Sequence, residues 1–244
     1  MLYYIGVGKT PRIIILAGGL GTRISEETTN KPKPMVLIAG KPILWHVMKI
    51  YAQQGFNEFL IATGYKGEVI SEWVLENDLP WKIEILDTGL KTQTGGRIKM
   101  CMEKYPEERL LATYGDGVGN INIKELIAFH DSHGKLATLT AVRPPARFGY
   151  LDMVNGQVLH FGEKNQSDAG WINGGYFVLE PQVSECIKSA SEPFETGALP
   201  KLALEGELMA FEHGGFWQPM DTLREKQDLE KLAHEGNPPW LIDI

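Results

Sequence analysis

The chain has 244 residues, 43% of them hydrophobic, with a formal net charge of -7 and a sequence pI near 5.4. That length buries a sizeable core without staples, and the acidic balance excludes a protein that grips nucleic acid through a broad basic face. No apolar run reaches the ~18 residues of a membrane span, and residues 1–10 lack the apolar core and cleavage site of a secretory signal. The expectation is a cytoplasmic protein with neither membrane nor nucleic-acid partners.

In chain order, Gly8-Lys9-Thr10 ends like a P-loop, but the glycine that pattern requires five positions before Gly8 is Tyr3. The β-branched run Ile13-Ile14-Ile15 predicts a buried strand, which delivers Leu16-Ala17-Gly18-Gly19-Leu20-Gly21-Thr22-Arg23. Three glycines in four positions leave room for backbone N–H groups to gather around an anion, and Arg23 adds a fixed positive charge. A tight turn after a strand would use the same glycines. In Asn30-Lys31-Pro32-Lys33-Pro34-Met35 the two prolines predict an extended segment that aims its lysines. Gly40-Lys41-Pro42 then opens a helix whose stripe Ile43, Val47, Ile50 runs to Gly55, with Trp45 and His46 read as packing or solvent residues.

Strands at Phe59–Ala62 and Lys82–Leu86, with a helix through about Leu75 between them, complete a strand–helix alternation. This predicts an α/β fold, a mainly parallel sheet with helices on both faces, and ligands beyond the carboxyl ends of its strands. Asp87 through Arg97, rich in hydroxyls and glycine, leads into a helix read as Ile98 to Tyr105. A glycine-lined helix start with an arginine suits a nucleotide, as it suits a plain capped helix. The two cysteines, Cys101 and Cys186, lack CxxC spacing and fall in helical stretches, so both are expected reduced and buried.

A strand at Leu110–Tyr114 delivers Gly115-Asp116-Gly117, where an aspartate between glycines has few neighbours to pair with and could meet a hard cation such as Mg²⁺, or simply form a turn. The helix near Ile123–His133 carries His130 and His133, read as exposed because no third ligand is near. After a strand at Ala137–Val142 the chain becomes β-rich. Tyr150–Val154 and Gln157–Phe161 flank Asn155-Gly156, a type I′ hairpin pair, and Trp171–Leu179 is interrupted by Gly174-Gly175, which implies either a close ligand or a bulge. Helices near Val183–Ser189 and Thr196–Leu204 and a strand at Glu207–Phe211 lead to Gly215–Thr222. There Thr222 and Glu225 form a capping box, which leaves Asp221 free for metal. The organisation expected is one domain, 1–244, with a nucleotide-binding part at about 11–142 and a part at about 143–244 that closes over a second ligand.

The motifs LAGGLGTR (Leu16–Arg23), KPKPM (Lys31–Met35), GKPILWH (Gly40–His46), YGDG (Tyr114–Gly117), INGG (Ile172–Gly175) and GFWQPMDT (Gly215–Thr222) resemble the sugar-1-phosphate nucleotidylyltransferases. The likeness runs from Arg12 to Trp240, and KPKPM and GFWQPMDT are particular to the cytidylyltransferase branch. It implies a Rossmann-like nucleotide-diphospho-sugar transferase fold with a β-rich sugar-binding part. The implied reaction is Mg²⁺-dependent transfer of a cytidylyl group from CTP to α-D-glucose 1-phosphate, releasing pyrophosphate, in a homo-oligomer. By the same resemblance Leu16, Ala17, Gly18, Gly19, Gly21, Thr22, Arg23, Lys33, Thr92, Arg97 and Gly115 meet the nucleotide, with Arg23 and Lys33 catalytic. Asp116 and Asp221 hold the metal, and Glu163, Lys164, Asn173 and Gly174 hold the sugar phosphate. Three departures stand out: the segment from Tyr65 to Asp87 is short for the branch, Asn165 replaces the proline that usually follows Glu163-Lys164, and the leader Met1 to Thr10 is additional. Other triphosphates, other acceptors, or a non-catalytic sensor are the competing readings. A Rossmann dehydrogenase is excluded by Ile24, where its fingerprint needs glycine or alanine.

Overall fold

The computed structural model describes residues 10–144, 150–162 and 170–241, so the leader and the expected sugar-phosphate contacts Glu163 and Lys164 lie outside the described residues. Strand β1 (Arg12–Leu16) is buried at every position. Ile13 and Ile15 enter one core while Ile14 and Leu16 enter the other, the two-residue alternation of a strand covered on both faces. A 3₁₀ turn (Thr22–Ile24) and α1 (Ser25–Thr28) follow. Lys33–Met35 is also a 3₁₀ turn, where extended backbone was expected. Pro32 is extended at ψ 155°, but Pro34 sits in the first helical turn, a place proline tolerates well.

A small hairpin, β2 (Leu37–Ile38) and β3 (Lys41–Pro42), turns at Ala39 and Gly40, both with positive φ. Then come α2 (Ile43–Ala52), β4 (Glu58–Thr63), α3 (Gly67–Glu76), β5 (Lys82–Asp87), α4 (Thr94–Lys104), β6 (Leu110–Tyr114), β7 (Gly117–Gly119), α5 (Ile123–His133) and β8 (Ala137–Val142). The chain continues through the hairpin β9 (Tyr150–Val154) and β10 (Gln157–Gly162), β11 (Ile172–Leu179), α6 (Val183–Cys186), α7 (Ala198–Leu204), β12 (Leu208–His213), β13 (Trp217–Pro219) and α8 (Leu223–His234).

Seven strands form the central sheet in the order β12-β8-β11-β6-β1-β4-β5. Strand β1 runs parallel to β4 and β6, β4 to β5, and β8 to β12; β11 is antiparallel to both of its neighbours. On one face Val47 and Tyr51 of α2, Leu126 of α5 and Leu229 of α8 pack over the sheet. On the other, Ile98 and Cys101 of α4, Val183 of α6 and Leu202 of α7 do the same. Each fully buried valine, leucine or isoleucine among them contributes about 1.5–3 kcal/mol. Both cysteines are free and buried, and burial pushes the Cys101 thiol up to about 12.

Two expectations need correction, and one open reading is decided. Helix α4 starts at Thr94, not Ile98, so Gly95 and Gly96 lie in its first turn. A Cβ on Gly95 would stand 2.6 Å from the Glu192 carbonyl, and one on Gly96 would overlap the Ala190 backbone. These glycines let a neighbouring segment approach the start of the helix. His130 is buried, not exposed, with Nδ1 at 2.8 Å from Thr138 Oγ1 and Nε2 at 3.0 Å from Glu180. Of the two readings of Gly174-Gly175, the bulge accounts for the glycines: the β8–β11 register shifts between Asn173 and Phe177, Gly175 has φ of +80°, and a Cβ on Gly174 would stand 2.6 Å from Val142 Cγ1.

Candidate active site

At the carboxyl ends of β1 and β6 lies a cleft of about 360 Å³. The whole glycine loop, Leu16 to Arg23, lines it, together with Lys33, Thr92, Arg97, Asp116 and Asp221. Gly115 and the pair Asn173-Gly174 are not among its lining residues. Gly115 instead donates its N–H to the Leu16 carbonyl at 3.0 Å, stitching the end of β6 to β1. Leu90, Gln93, Thr94 and Tyr114 also line the cleft and had no place in the sequence-based site.

Asp116 and Asp221 meet because of backbone pairing. Strand β13 pairs antiparallel with β7, placing Pro219 opposite Gly117, and Met220 N donates to the Asp116 carbonyl at 2.8 Å. The capping box of α8 then fixes the next residues: Glu225 Oε2 accepts from Asp221 N at 2.8 Å and from Thr222 N at 2.9 Å.

Neither aspartate is without a partner, contrary to the expectation from the flanking glycines and the cap. The Lys33 ammonium donates to Asp116 Oδ2 at 2.7 Å and to Asp221 Oδ1 at 2.5 Å, while Arg23 Nη1 donates to Asp221 Oδ2 at 2.6 Å. What the sequence pattern missed is the reach of the 3₁₀ turn, which turns Lys33 inward until it is 7% exposed. Burial works against its charge, but the Asp116 and Asp221 carboxylates outweigh that and hold its pKa above the ordinary lysine value. The Arg23 side chain is 73% exposed, so its ion pair is a weak and exchangeable one.

Arg97 lines the cleft and also braces its backbone. Its guanidinium is buried and donates to the Gly18 carbonyl at 3.0 Å, to the Thr63 carbonyl at 2.7 Å and to the Thr88 hydroxyl. Burial lowers its pKa, partly offset by Asp87. A Cβ on Gly18 would overlap this guanidinium, and one on Gly64 would stand 2.6 Å from Nη1. Gly18 is therefore glycine because a cation packs against it, whereas Gly19 has open space at that position. Nearby, Thr92 Oγ1 donates to the Thr88 carbonyl at 2.5 Å, which ties the loop before α4 into the same assembly.

The arrangement offers a glycine-lined cleft with two carboxylates that share the Lys33 ammonium and three cationic side chains, Arg23, Lys33 and Arg97, in its lining. Such a site suits a polyphosphate and the charge that develops when it is cut. Among the described residues no helix is long and apolar enough to cross a membrane.

The chain is similar to known proteins over most of its length. The chain is 50% identical to the glucose-1-phosphate cytidylyltransferase of Salmonella typhi over an alignment of 252 positions, covering 94% of this chain and 98% of that protein. It is 41% identical to the probable glucose-1-phosphate cytidylyltransferase of Bacillus subtilis, covering 95% and 99%. The crystal structure of HddC from Yersinia pseudotuberculosis superposes with a TM-score of 0.74 at 26% identity, covering 91% of this chain and 99% of that one. The nucleotidyl transferase family model matches residues 12–223, so the chain belongs to the nucleotidyl transferase family.

Proposed function

We propose that this protein transfers the cytidylyl group of CTP to α-D-glucose 1-phosphate, giving CDP-glucose and pyrophosphate. The observation that carries the chemistry is the convergence of Lys33, Asp116 and Asp221 beside the glycine loop. The identity to the two cytidylyltransferases supports the choice of base and acceptor. Residues from about 11 to 142 form the nucleotide-binding part, and those from about 143 to 244 hold the sugar phosphate and close the site.

Two carboxylates within reach of one ammonium fit a hard divalent cation, since Mg²⁺ takes one or two carboxylates and fills its remaining positions with phosphate oxygens and water. Asp116 and Asp221 would hold Mg²⁺, which when bound neutralises phosphate charge and templates the triphosphate. Leu16, Ala17, Gly18, Gly19 and Gly21 shape the wall against which the phosphates lie, with Thr22 and Thr92 adding hydroxyls and Gly115 bordering the nucleoside. Lys33 stabilises the charge that builds on the α-phosphate. Arg23, exposed and weakly held, moves to the leaving pyrophosphate. Arg97 keeps the Gly18 backbone in place. The attacking phosphate oxygen is already anionic, so no general base is needed, and positioning with charge neutralisation supplies the rate. Glu163, Lys164, Asn173 and Gly174 receive the sugar phosphate.

The test is to supply each of CTP, UTP and dTTP with glucose 1-phosphate and Mg²⁺ and to measure pyrophosphate. CTP is expected to be strongly preferred. A preference for UTP overturns the cytidylyl assignment, and no release with any triphosphate overturns the reaction.

A further inference from the structure

One carboxylate outside the cleft lining joins the two sides of the site. Glu195 lies in the segment between α6 and α7, exposed to solvent. Its Oε2 accepts from Thr94 Oγ1 at 2.6 Å, and its Oε1 accepts from Tyr114 OH at 2.5 Å. Thr94 opens α4 on the nucleotide side and takes the Phe194 N–H at 2.8 Å. Tyr114 ends β6, two residues before Asp116, and both Thr94 and Tyr114 line the cleft.

The tyrosine is boxed in. Its ring meets Phe177 edge-on at 5.9 Å, and a Cβ on Gly175 would overlap it, so the bulge glycine is the hole into which the ring fits. With its proton committed to Glu195, the Tyr114 oxygen can only accept, and it accepts from Asn173 Nδ2 at 3.3 Å. Asn173 Oδ1 in turn accepts the Gly175 N–H at 2.9 Å. Both ends of the Asn173 amide are thereby fixed. Its oxygen is turned to the bulge and its nitrogen to Tyr114, which leaves one N–H of the amide unassigned.

We infer that Glu195 is a positioning residue for the sugar phosphate: by accepting from Tyr114 it fixes the polarity of the chain Glu195–Tyr114–Asn173, so that Asn173 offers the acceptor a donor. This rests on the proposed reading of Asn173 as a sugar contact. Glutamine at position 195 is the discriminating change, because it keeps shape and reach yet can itself donate to Tyr114. The tyrosine proton would then face the Asn173 amide N–H, and because the Gly175 N–H holds Asn173 Oδ1 the amide has no acceptor to offer in return, so the Tyr114–Asn173 link would break.

The experiment compares the wild type with Glu195→Gln, Glu195→Asp and Tyr114→Phe. In Glu195→Gln the KM for glucose 1-phosphate is expected to rise about five- to tenfold, the scale of one hydrogen bond, while the KM for CTP and the melting temperature stay near wild type. Glu195→Asp keeps the acceptor polarity and should recover part of the loss. Adding Glu195→Gln to Tyr114→Phe should add nothing, since the link is already cut. Equal effects on both KM values, or none on either, overturn the inference. Independently of turnover, the ¹⁵N-labelled Asn173 side-chain amide resonances, assigned through Asn173→Asp, should shift in Glu195→Gln. If the wild type proves inactive, the proposed reaction fails while this spectrum still decides the polarity: unchanged resonances refute it.

Discussion

Lys33→Met keeps most of a buried stem and deletes its charge. The ammonium touches both carboxylates, so their oxygens stand at most about 5 Å apart, and losing it leaves a repulsion of about 1–3 kcal/mol at effective dielectric constants between 80 and 20. The variant should therefore unfold at lower urea, by about that free energy. Mg²⁺ without nucleotide should shift its midpoint upward more than that of the wild type, because the carboxylates no longer have to exchange an existing cation. Turnover should fall about 10²–10³-fold, the scale for one missing transition-state donor, while CTP affinity changes less. Pyrophosphate release, CTP titration and urea melts with and without Mg²⁺ read the three quantities. Near-normal turnover, or a Mg²⁺ shift no larger than the wild-type one, refutes the reasoning.

Adjacent glycines should respond oppositely. Gly18→Ala collides with the Arg97 guanidinium and is expected to cost about 1–3 kcal/mol of stability and weaken CTP binding at least about tenfold; Gly19→Ala meets nothing within 4 Å and should leave stability within about 0.5 kcal/mol. Urea melts and CTP titration compare them, and equal behaviour would remove the packing explanation for Gly18. Stability should also fall in mild acid. His46, His130 and His213 have pKa values held below the ordinary histidine value, chiefly by burial. As pH drops through about 6.5 the unfolded chain takes up protons that the folded one refuses, so stability is full above that pH and declines toward the folded values. Urea midpoints between pH 7.5 and 5.5 measure this, His130→Gln should flatten the decline, and a flat wild-type profile counts against it.

The fold was legible where one strand or helix carries its own signal. The run Ile13-Ile14-Ile15 is buried on both faces, the strand–helix alternation builds the parallel half of the sheet, and Asn155-Gly156 turns with positive φ at both residues. Glycine was the least readable residue. Gly18, Gly95, Gly96 and Gly175 are each small because another part of the chain presses on them: Arg97, the segment at 190–192, and Tyr114. Those contacts span long stretches of sequence and leave no local periodicity. The same holds for Lys33, whose pattern of flanking prolines says only that a long helix is forbidden, while its burial depends on where β13 delivers Asp221. Tyr114 and Glu195 were missed for a related reason, since a strand-end tyrosine and an exposed glutamate are ordinary until they are seen bonded to each other.

An acidic chain that accepts a triphosphate must avoid repelling it, and the centre achieves this by being formally neutral. Asp116 and Asp221 are balanced by Lys33 and Arg23, although the whole molecule carries -7. Arg97 stands apart from that balance, because its hydrogen-bond partners Gly18, Thr63 and Thr88 supply neutral oxygens and leave its charge in the cleft wall. Binding and turnover should then separate in Asp221→Asn. That substitution makes the centre net positive, frees Arg23 and loosens Lys33, so CTP affinity measured without Mg²⁺ should hold or tighten by about threefold, given surface-scale electrostatics of ~1 kcal/mol or less. Turnover with Mg²⁺ should fall about 10²-fold or more, because one of the two carboxylates that fit the cation is gone. Isothermal titration with CTP, beside pyrophosphate release, measures both. Parallel loss of affinity and turnover would mean that Asp221 shapes the nucleotide site itself, and the charge argument would be wrong.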